Sequence, residues 1–96
     1  MEAGERQNIA TFYDALGHKR RILIIEKLLP VPQTGLSFGK LASETGMRPS
    51  VLKHHLRIMD RANLLMVQPK GRETRIALSQ RARNHLPNLL GLITSS

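Results

Sequence analysis

The part of the sequence with the most distinctive chemistry is residues 49–62, whose side chains suit an anionic partner. Hydrogen-bond donors and positive charges recur there at the spacing i, i+3, i+4, i+7 and i+11, which marks one face of a helix. These residues are Ser50, Lys53, His54, Arg57 and Arg61. The opposite face carries an apolar stripe, which consists of Leu52, His55, Leu56 and Met59. Such a helix packs through one face and offers donors to acceptors, such as the phosphates and base edges of double-stranded DNA, through the other.

Position along this helix separates two kinds of contact. In a helix that lies in the major groove, side chains near its start meet base edges and later ones meet phosphates. We expect contacts to base edges or their rim from Ser50, Val51, Lys53 and His54. We expect phosphate contacts from Arg48 and Arg57, with Arg61 ranking behind them. A solvated face on an ordinary amphipathic helix has the same periodicity, so the neighbouring elements must decide between the two interpretations.

His55 is the exception on the apolar face. A histidine among core residues is more often buried and hydrogen-bonded than in contact with a ligand, because buried polar groups find partners. We therefore expect His55 to be structural. His54 points about 100° away around the helix and is expected to face the DNA.

Capping residues frame this helix and a shorter one before it. Ser37 suits the N-cap of a helix over Phe38–Thr45, and Gly46 follows where a left-handed residue ends a helix. After a tight turn, Pro49 suits the first position of the next helix, and Asn63 can end it in the left-handed conformation. Two helices joined in this way form a helix-turn-helix, whose second helix enters the major groove.

Two short apolar or alternating runs follow and predict a β-hairpin. We expect the first strand over residues 64–67, the turn over 69–72 and the returning strand over 73–78. The hairpin is interpreted as a wing that lies along or in the minor groove through three cations, Lys70, Arg72 and Arg75. An exposed turn with ordinary surface charge is the alternative interpretation.

Helical periodicity predicts three further helices, over residues 8–16, 19–29 and 80–93. The middle one is expected to be central, with Ile22, Ile25 and Leu29 on one side, Leu28 beside them, and Leu23 and Ile24 widening the apolar stripe. Ser79 suits the N-cap of the last. The first and last of these helices carry a surplus of apolar residues.

In chain order these elements are helix, helix, helix, tight turn, helix, strand, strand and helix. With 96 residues, the chain is expected to form one domain that is mainly α with a small β-hairpin wing. This architecture is a winged helix-turn-helix, with the helix-turn-helix over about 38–62 and the wing over about 65–78. A core of this size is marginal alone and gains from a partner subunit.

The charge of the chain is concentrated in the elements expected to touch DNA. Fifteen Lys and Arg against seven Asp and Glu give a formal net charge of +8, of which +7 lies between Arg48 and Arg83. Contact with a duplex explains this concentration better than solubility does. The three aromatic residues are too few for a platform that stacks single-stranded bases, which also disfavours an RNA-binding winged helix.

Other classes of function find little support. The sequence has no cysteine, which excludes disulfides and thiolate metal sites. Its acidic residues are scattered and residues 35–40 lack the P-loop pattern, so we expect neither an enzyme nor a cofactor. Because the N-terminal residues do not resemble a signal peptide and no apolar run approaches a membrane span, we expect a cytoplasmic protein without a membrane partner.

Three blocks of the sequence resemble the ArsR-type transcriptional regulators. The opening of that family is matched by ALGHKRRILII (15–25), its recognition segment by GMRPSVLKHHLRIMDRANLL (46–65) and its wing by KGRETRIAL (70–78). The tail, residues 78–90, is more similar to the last helix of MarR- and HxlR-type regulators. The resemblance implies a winged helix dimer, commonly joined through its terminal helices, that acts as a repressor. The apolar surplus of the first and last helices agrees with this. The residues of the dimer interface expected from the resemblance are Ile9, Phe12, Tyr13, Leu86, Leu89, Leu90 and Ile93.

The chain departs from this family in its metal ligands. Metal-sensing members carry a cysteine pair in the third helix, where this chain has LSFGKLA, or Asp and His ligands on the last helix, where His85 stands alone. The four histidines have no ligand spacing, so we expect no metal site. A small-molecule effector is compatible with the family, but the sequence identifies no site for one.

Three hypotheses of function follow. The first is a sequence-specific regulator, acting as a homodimeric repressor on a pseudo-palindromic operator with the two reading helices one DNA turn apart. The second is an architectural protein that coats DNA without sequence preference, or a winged helix adaptor that binds another protein. The third is an enzyme, for which the sequence offers no nucleophile with a partner base. The sequence favours the first.

Overall fold

A computed structural model describes residues 18–85 of the chain. The elements in this range are α1 (Lys19–Leu28), β1 (Leu36–Ser37), α2 (Phe38–Thr45), α3 (Pro49–Arg61), β2 (Leu65–Lys70) and β3 (Glu73–Leu78). Residues 80–85 are again helical and are named α4. The predicted order of elements is confirmed over this range, except that a short strand precedes α2. The helix predicted over residues 8–16 lies outside the described residues.

Helix α1 packs against α2, α3 and β3 and is central, as predicted. Ile24, Ile25 and Leu28, all within the predicted apolar stripe, are fully buried, whereas Ile22 and Leu29 are half-buried at the margin of the core. Because three elements surround α1, its buried arc is wide and is centred on Leu28, which leaves Ile22 and Leu29 at one edge of that arc.

Local signals set the ends of α2 and α3, as the sequence predicts. Ser37 caps α2, because its Oγ accepts a hydrogen bond of 3.2 Å from the backbone N–H of Lys40. Gly46 follows α2 in the left-handed conformation with a φ of 69°. Pro49 begins α3, and Asn63 lies beyond its end with a φ of 61°. The tight turn between the helices is therefore fixed by residues that favour it.

The hairpin predicted after α3 is present as β2 and β3, which pair antiparallel along their whole length. Its turn is shorter than expected, because Lys70 already pairs with Glu73 and two residues, Gly71 and Arg72, connect the strands. Gly71 supplies a positive φ of 63° at the first turn position, as a type II′ turn requires. Pro69 was expected in the turn but lies within β2, where it is tolerated because β2 is an edge strand.

A third strand, β1, is missing from the sequence prediction. It pairs antiparallel with β3, with Leu36 opposite Ile76 and Ser37 opposite Arg75, so the sheet order is β1–β3–β2. Just before β1, Gly35 has a φ of 77° and lies so close to β3 that a Cβ atom there would be 2.6 Å from the carbonyl oxygen of Ile76. The backbone that leads into α2 therefore packs directly against β3, the returning strand of the wing.

The core joins helices and sheet in one cluster. Its fully buried large side chains are Ile24, Ile25, Leu28, Leu41, Leu52, Met59, Leu64, Ile76 and Leu78. Helix α4 joins them through Ala82, whose backbone N–H donates to the capping Oγ of Ser79, the predicted N-cap, at 3.1 Å. The guanidinium of Arg83 then donates to the carbonyl oxygens of Leu29 and Val31, which fastens α4 to the end of α1.

The expected dimer interface lies beyond these elements. All seven residues of the expected dimer interface lie outside the described residues, namely Ile9, Phe12, Tyr13, Leu86, Leu89, Leu90 and Ile93. Within residues 18–85, none of the helices has the length and apolar character that crossing a bilayer demands.

Candidate nucleic-acid interface

The two faces predicted for α3 are separated in the structure. The apolar stripe is buried against the core and consists of Leu52, His55, Leu56 and Met59. The polar side chains of the other face are all exposed, namely Ser50, Lys53, His54, Arg57 and Arg61. Val51 is half-buried at the boundary between the faces. With Asp60 as the acidic residue of this helix, the exposed face carries a net positive charge.

The start of α3 suits an anion. Arg48 occupies the N-cap position and is exposed, and its side chain makes no capping hydrogen bond within the described range. The first turn contains no acidic residue. Because Pro49 has no N–H, the first backbone donors are those of Ser50 and Val51, where the helix dipole adds a partial positive charge.

A groove of about 650 Å³ lies between α3 and the wing. Lys53, Arg57 and Asp60 line it from α3, and Arg72 and Glu73 line it from the hairpin. The three cations outnumber the two carboxylates, so the charged lining has a net positive charge. Lys70 is exposed beside that turn. Val67 lies in the same groove and is 42% exposed, a high value for a large apolar side chain. The structure thus brings predicted contacts from two elements to one concave surface.

Arg75, which the sequence assigned to the DNA-contacting wing, has a different position. It lies in β3 away from the turn, and its side chain is only partly exposed. Its Nε donates to the carbonyl oxygen of Thr34 at 3.2 Å, and its Nη2 donates to that of Gly35 at 2.7 Å. Its Nη1 lies 3.4 Å from the carboxylate of Glu73. These donors hold the loop before β1 on the sheet. The Arg75 guanidinium is thus engaged within the domain and is not assigned to DNA.

His55 is buried, as predicted, and belongs to a cluster of histidines. It is 4% exposed, and its Nδ1 accepts a hydrogen bond of 3.3 Å from the Nε of Arg21. The ring centroids of His18 and His54 lie 4.7 and 5.6 Å from that of His55. Burial lowers the pKa of His55, and repulsion from His18, Arg21, His54 and Arg20 in their protonated forms lowers it further. The ring is therefore neutral near pH 7 and acts as a packed acceptor.

A family model decides what kind of protein carries this surface. The model for the bacterial regulatory proteins of the arsR family matches residues 18–66, which extend from the start of α1 into β2. The chain belongs to the ArsR family. It is accordingly a DNA-binding transcriptional regulator and not an enzyme. No curated protein sequence matches it significantly.

Solved structures share the fold of this ArsR-family chain. A homodimeric winged helix-turn-helix DNA-binding domain from Mycobacterium bovis matches with a TM-score of 0.82 at 19% identity, over 97% of this chain and 83% of that one. HlyU from Vibrio cholerae gives 0.80 at 24% identity over 100% of both chains. NolR from Sinorhizobium fredii gives 0.78 at 23% identity over 94% of this chain and 87% of its own. These likenesses establish the winged helix-turn-helix fold.

The structure also brings together residues of the ArsR-family chain that the sequence analysis did not assign to a site. His18, Arg20 and Arg21, at the start of α1, line a pocket with the start of α3. The sequence does contain a signal for this site. A helix dipole disfavours cations in the first turn, and α1 nevertheless begins with Lys19, Arg20 and Arg21, which indicates a nearby anion. Among residues 18–85, no group of three or more His, Cys, Asp or Glu is arranged to hold a metal ion.

The two wing arginines should separate in a stability measurement. We expect Arg75→Ala to lower the free energy of unfolding by about 1–3 kcal/mol, because it removes charge-assisted hydrogen bonds to two backbone carbonyls. The exposed Arg72→Ala should change it by less than about 0.5 kcal/mol. Urea unfolding of both variants measures the difference. Equal stability of the two variants would contradict the structural role assigned to Arg75.

Proposed function

We propose that this ArsR-family regulator binds a specific sequence of double-stranded DNA as a homodimer, on a pseudo-palindromic operator, and represses transcription in the cytoplasm. The main support is the exposed cationic face of α3, which borders the same groove as the cation at the wing turn. A helix in the major groove with a wing on the neighbouring backbone or minor groove uses both surfaces at once.

The proposed contacts divide by their distance from the start of α3. Base edges or their rim are assigned to Ser50, Val51, Lys53 and His54. Phosphates are assigned to Arg48 and Arg57 from the helix, and to Lys70 and Arg72 from the wing. All of these side chains are exposed except that of Val51, which is half-buried and suits a thymine methyl group.

A homodimer accounts for operator symmetry and for the modest size of the core. The related domain from Mycobacterium bovis is described as homodimeric. In our proposal the helices predicted over residues 8–16 and 80–93 join the two copies and place the two α3 helices about 34–36 Å apart, one turn of DNA. Size measurement in solution and a two-fold symmetric footprint test this part of the proposal.

Selection of bound sequences from a random duplex library tests the proposed function directly. We expect one enriched motif with two-fold symmetry, and affinity for it that falls steeply between about 50 and 200 mM salt. Equal affinity for unrelated duplexes would replace the proposal with a DNA-coating role. Absence of duplex binding, with a retained protein partner, would replace it with an adaptor role.

Two substitutions should distinguish reading of bases from attachment to the backbone. We expect Lys53→Ala to relax the preference at one base position, by about 1–3 kcal/mol of discrimination. Arg72→Ala should weaken all duplexes to a similar extent and reduce the slope of log affinity against log salt by about 1.8, because each of the two wings loses one phosphate contact. Binding to the selected operator and to its single-base variants measures both. If Lys53→Ala lowers the affinity for the operator and for all of its single-base variants equally, Lys53 does not read a base.

A further inference from the structure

A second concave site lies between the first turns of α1 and α3, and it has a volume of about 370 Å³. The α1 side of this pocket is formed by His18, Arg20 and Arg21. The α3 side is formed mainly by Ser50, His54 and His55. All of these side chains are hydrogen-bond donors, and no carboxylate of the described residues lines the pocket. The lining therefore selects for an anion.

Two hydrogen bonds set the tautomers of the imidazole rings. The Nδ1 of His18 accepts from the backbone N–H of Arg20 at 3.1 Å, and the Nδ1 of His55 accepts from the Nε of Arg21 at 3.3 Å. A neutral ring that accepts at Nδ1 carries its proton at Nε2, so both rings retain an N–H donor. Neither ring then has a lone pair available at Nε2. The pocket thus suits an acceptor such as an oxyanion and disfavours a metal cation.

The backbone reinforces this preference. Helices α1 and α3 both begin at the pocket, so the positive ends of two helix dipoles converge there. Neither first turn contains an acidic residue. Instead, Lys19, Arg20 and Arg21 place three cations in the first turn of α1, which is locally unfavourable. A bound anion would remove this repulsion, as is expected when a sequence breaks a local rule at a functional site.

We propose that this pocket binds a phosphate group of the DNA backbone, with Arg20 as its principal contact. The inference rests on the proposed function, because Ser50, Val51 and His54 belong both to the pocket and to the DNA-facing surface. Phosphates flank a helix that lies in the major groove. The pocket and the wing-side groove occupy different flanks of α3, so each can engage a different phosphate.

The exposed Arg20 and Lys19 provide a matched pair for the test. They are adjacent cations on α1, but Arg20 lines the pocket and Lys19 does not. We expect Arg20→Ala to bind the selected duplex about tenfold more weakly and to lose about 1.8 from the salt slope, because the homodimer loses one phosphate contact in each half-site. We expect a smaller change in both quantities for Lys19→Ala. Equal effects of the two substitutions would overturn the assignment of the pocket.

A scan with neutral phosphates locates the contact. Single methylphosphonate groups replace the phosphates of the selected duplex one at a time, and affinity is measured for wild type and Arg20→Ala. We expect one position in each half-site at which wild type loses about threefold in affinity, half of the free energy lost when both subunits carry Arg20→Ala, and at which Arg20→Ala loses nothing further. Absence of any position with this coupling would overturn the assignment to the DNA backbone.

A free phosphorylated molecule offers the same chemistry, so inorganic phosphate serves as a probe without DNA. Inorganic phosphate is titrated into the free protein while the NMR signals of the His18 and His55 rings are followed. If these signals shift saturably in wild type but not in Arg20→Ala, and the methylphosphonate scan shows no coupling, the pocket binds a free phosphate compound. Absence of both signals would overturn the proposal. Failure of the proposed function is a separate result, since it requires that wild type itself select no duplex, whereas failure of the pocket leaves operator binding by wild type intact.

Discussion

Replacing Gly35 by alanine is expected to lower the free energy of unfolding by about 2–5 kcal/mol, a large share of the stability of a small domain. Two costs add at this position. The φ of 77° is unfavourable for a residue with a side chain, and the new Cβ would lie 2.6 Å from the carbonyl oxygen of Ile76. That oxygen belongs to the backbone of β3, so relief requires β1 to separate from the sheet.

Two other glycines separate these costs. Gly46 has a φ of 69° but open space around its Cβ position, so Gly46→Ala reports the backbone cost alone, about 1–2 kcal/mol. Gly39 lies in α2 at a φ that alanine adopts freely, again with open space, and Gly39→Ala should stabilise by up to about 1 kcal/mol. Thermal or urea unfolding of the three variants gives the order directly. If Gly35→Ala is no less stable than Gly46→Ala, the close approach of residue 35 to the carbonyl oxygen of Ile76 adds no cost of its own.

The predictable parts of this fold are those determined by neighbouring residues. Ser37, Gly46, Pro49 and Asn63 each favour a backbone conformation or a cap that needs no distant partner, and the ends of α2 and α3 follow from them. The two faces of α3 are equally local, because helical geometry alone assigns each residue to a face. The candidate DNA-facing surface was therefore accessible from sequence.

The parts that escaped prediction depend on distant residues. A strand as short as β1 has no periodicity of its own and exists because Ile76 and Arg75 offer it a partner, some 40 positions along the chain. The same loop supplies the carbonyls that hold Arg75, so a residue typical of a DNA-contacting wing becomes a structural one. The pocket between α1 and α3 arises in the same way, from packing that brings Arg20 beside Ser50.

Acidification is expected to destabilise the protein through His55. Burial lowers the pKa of this ring, and the nearby charges of His18 and Arg21 lower it further, so the folded state resists protonation. The unfolded chain binds a proton at His55 near its ordinary pKa of about 6.5, before the folded chain does. The stability contributed by the neutral ring is thus fully present above about pH 6.5 and is lost as the pH falls toward the folded pKa. The melting temperature should fall over this range.

The substitution His55→Gln tests the source of this pH dependence. Glutamine keeps an acceptor for Arg21 but does not titrate, so we expect the variant to lose stability at neutral pH while showing a smaller fall in melting temperature between about pH 7.5 and 5.5. His85→Gln is the control, because it removes an exposed imidazole and should leave the wild-type dependence unchanged. A ring titration of wild type by NMR checks the cause independently, with His55 titrating below pH 6.5. If His55→Gln and wild type lose stability in parallel on acidification, the buried ring does not set the acid response. The His55 ring, which connects α3 to Arg21 of α1, would then stabilise the fold through packing alone. Its protonation would not affect how stably α3 is docked on the core.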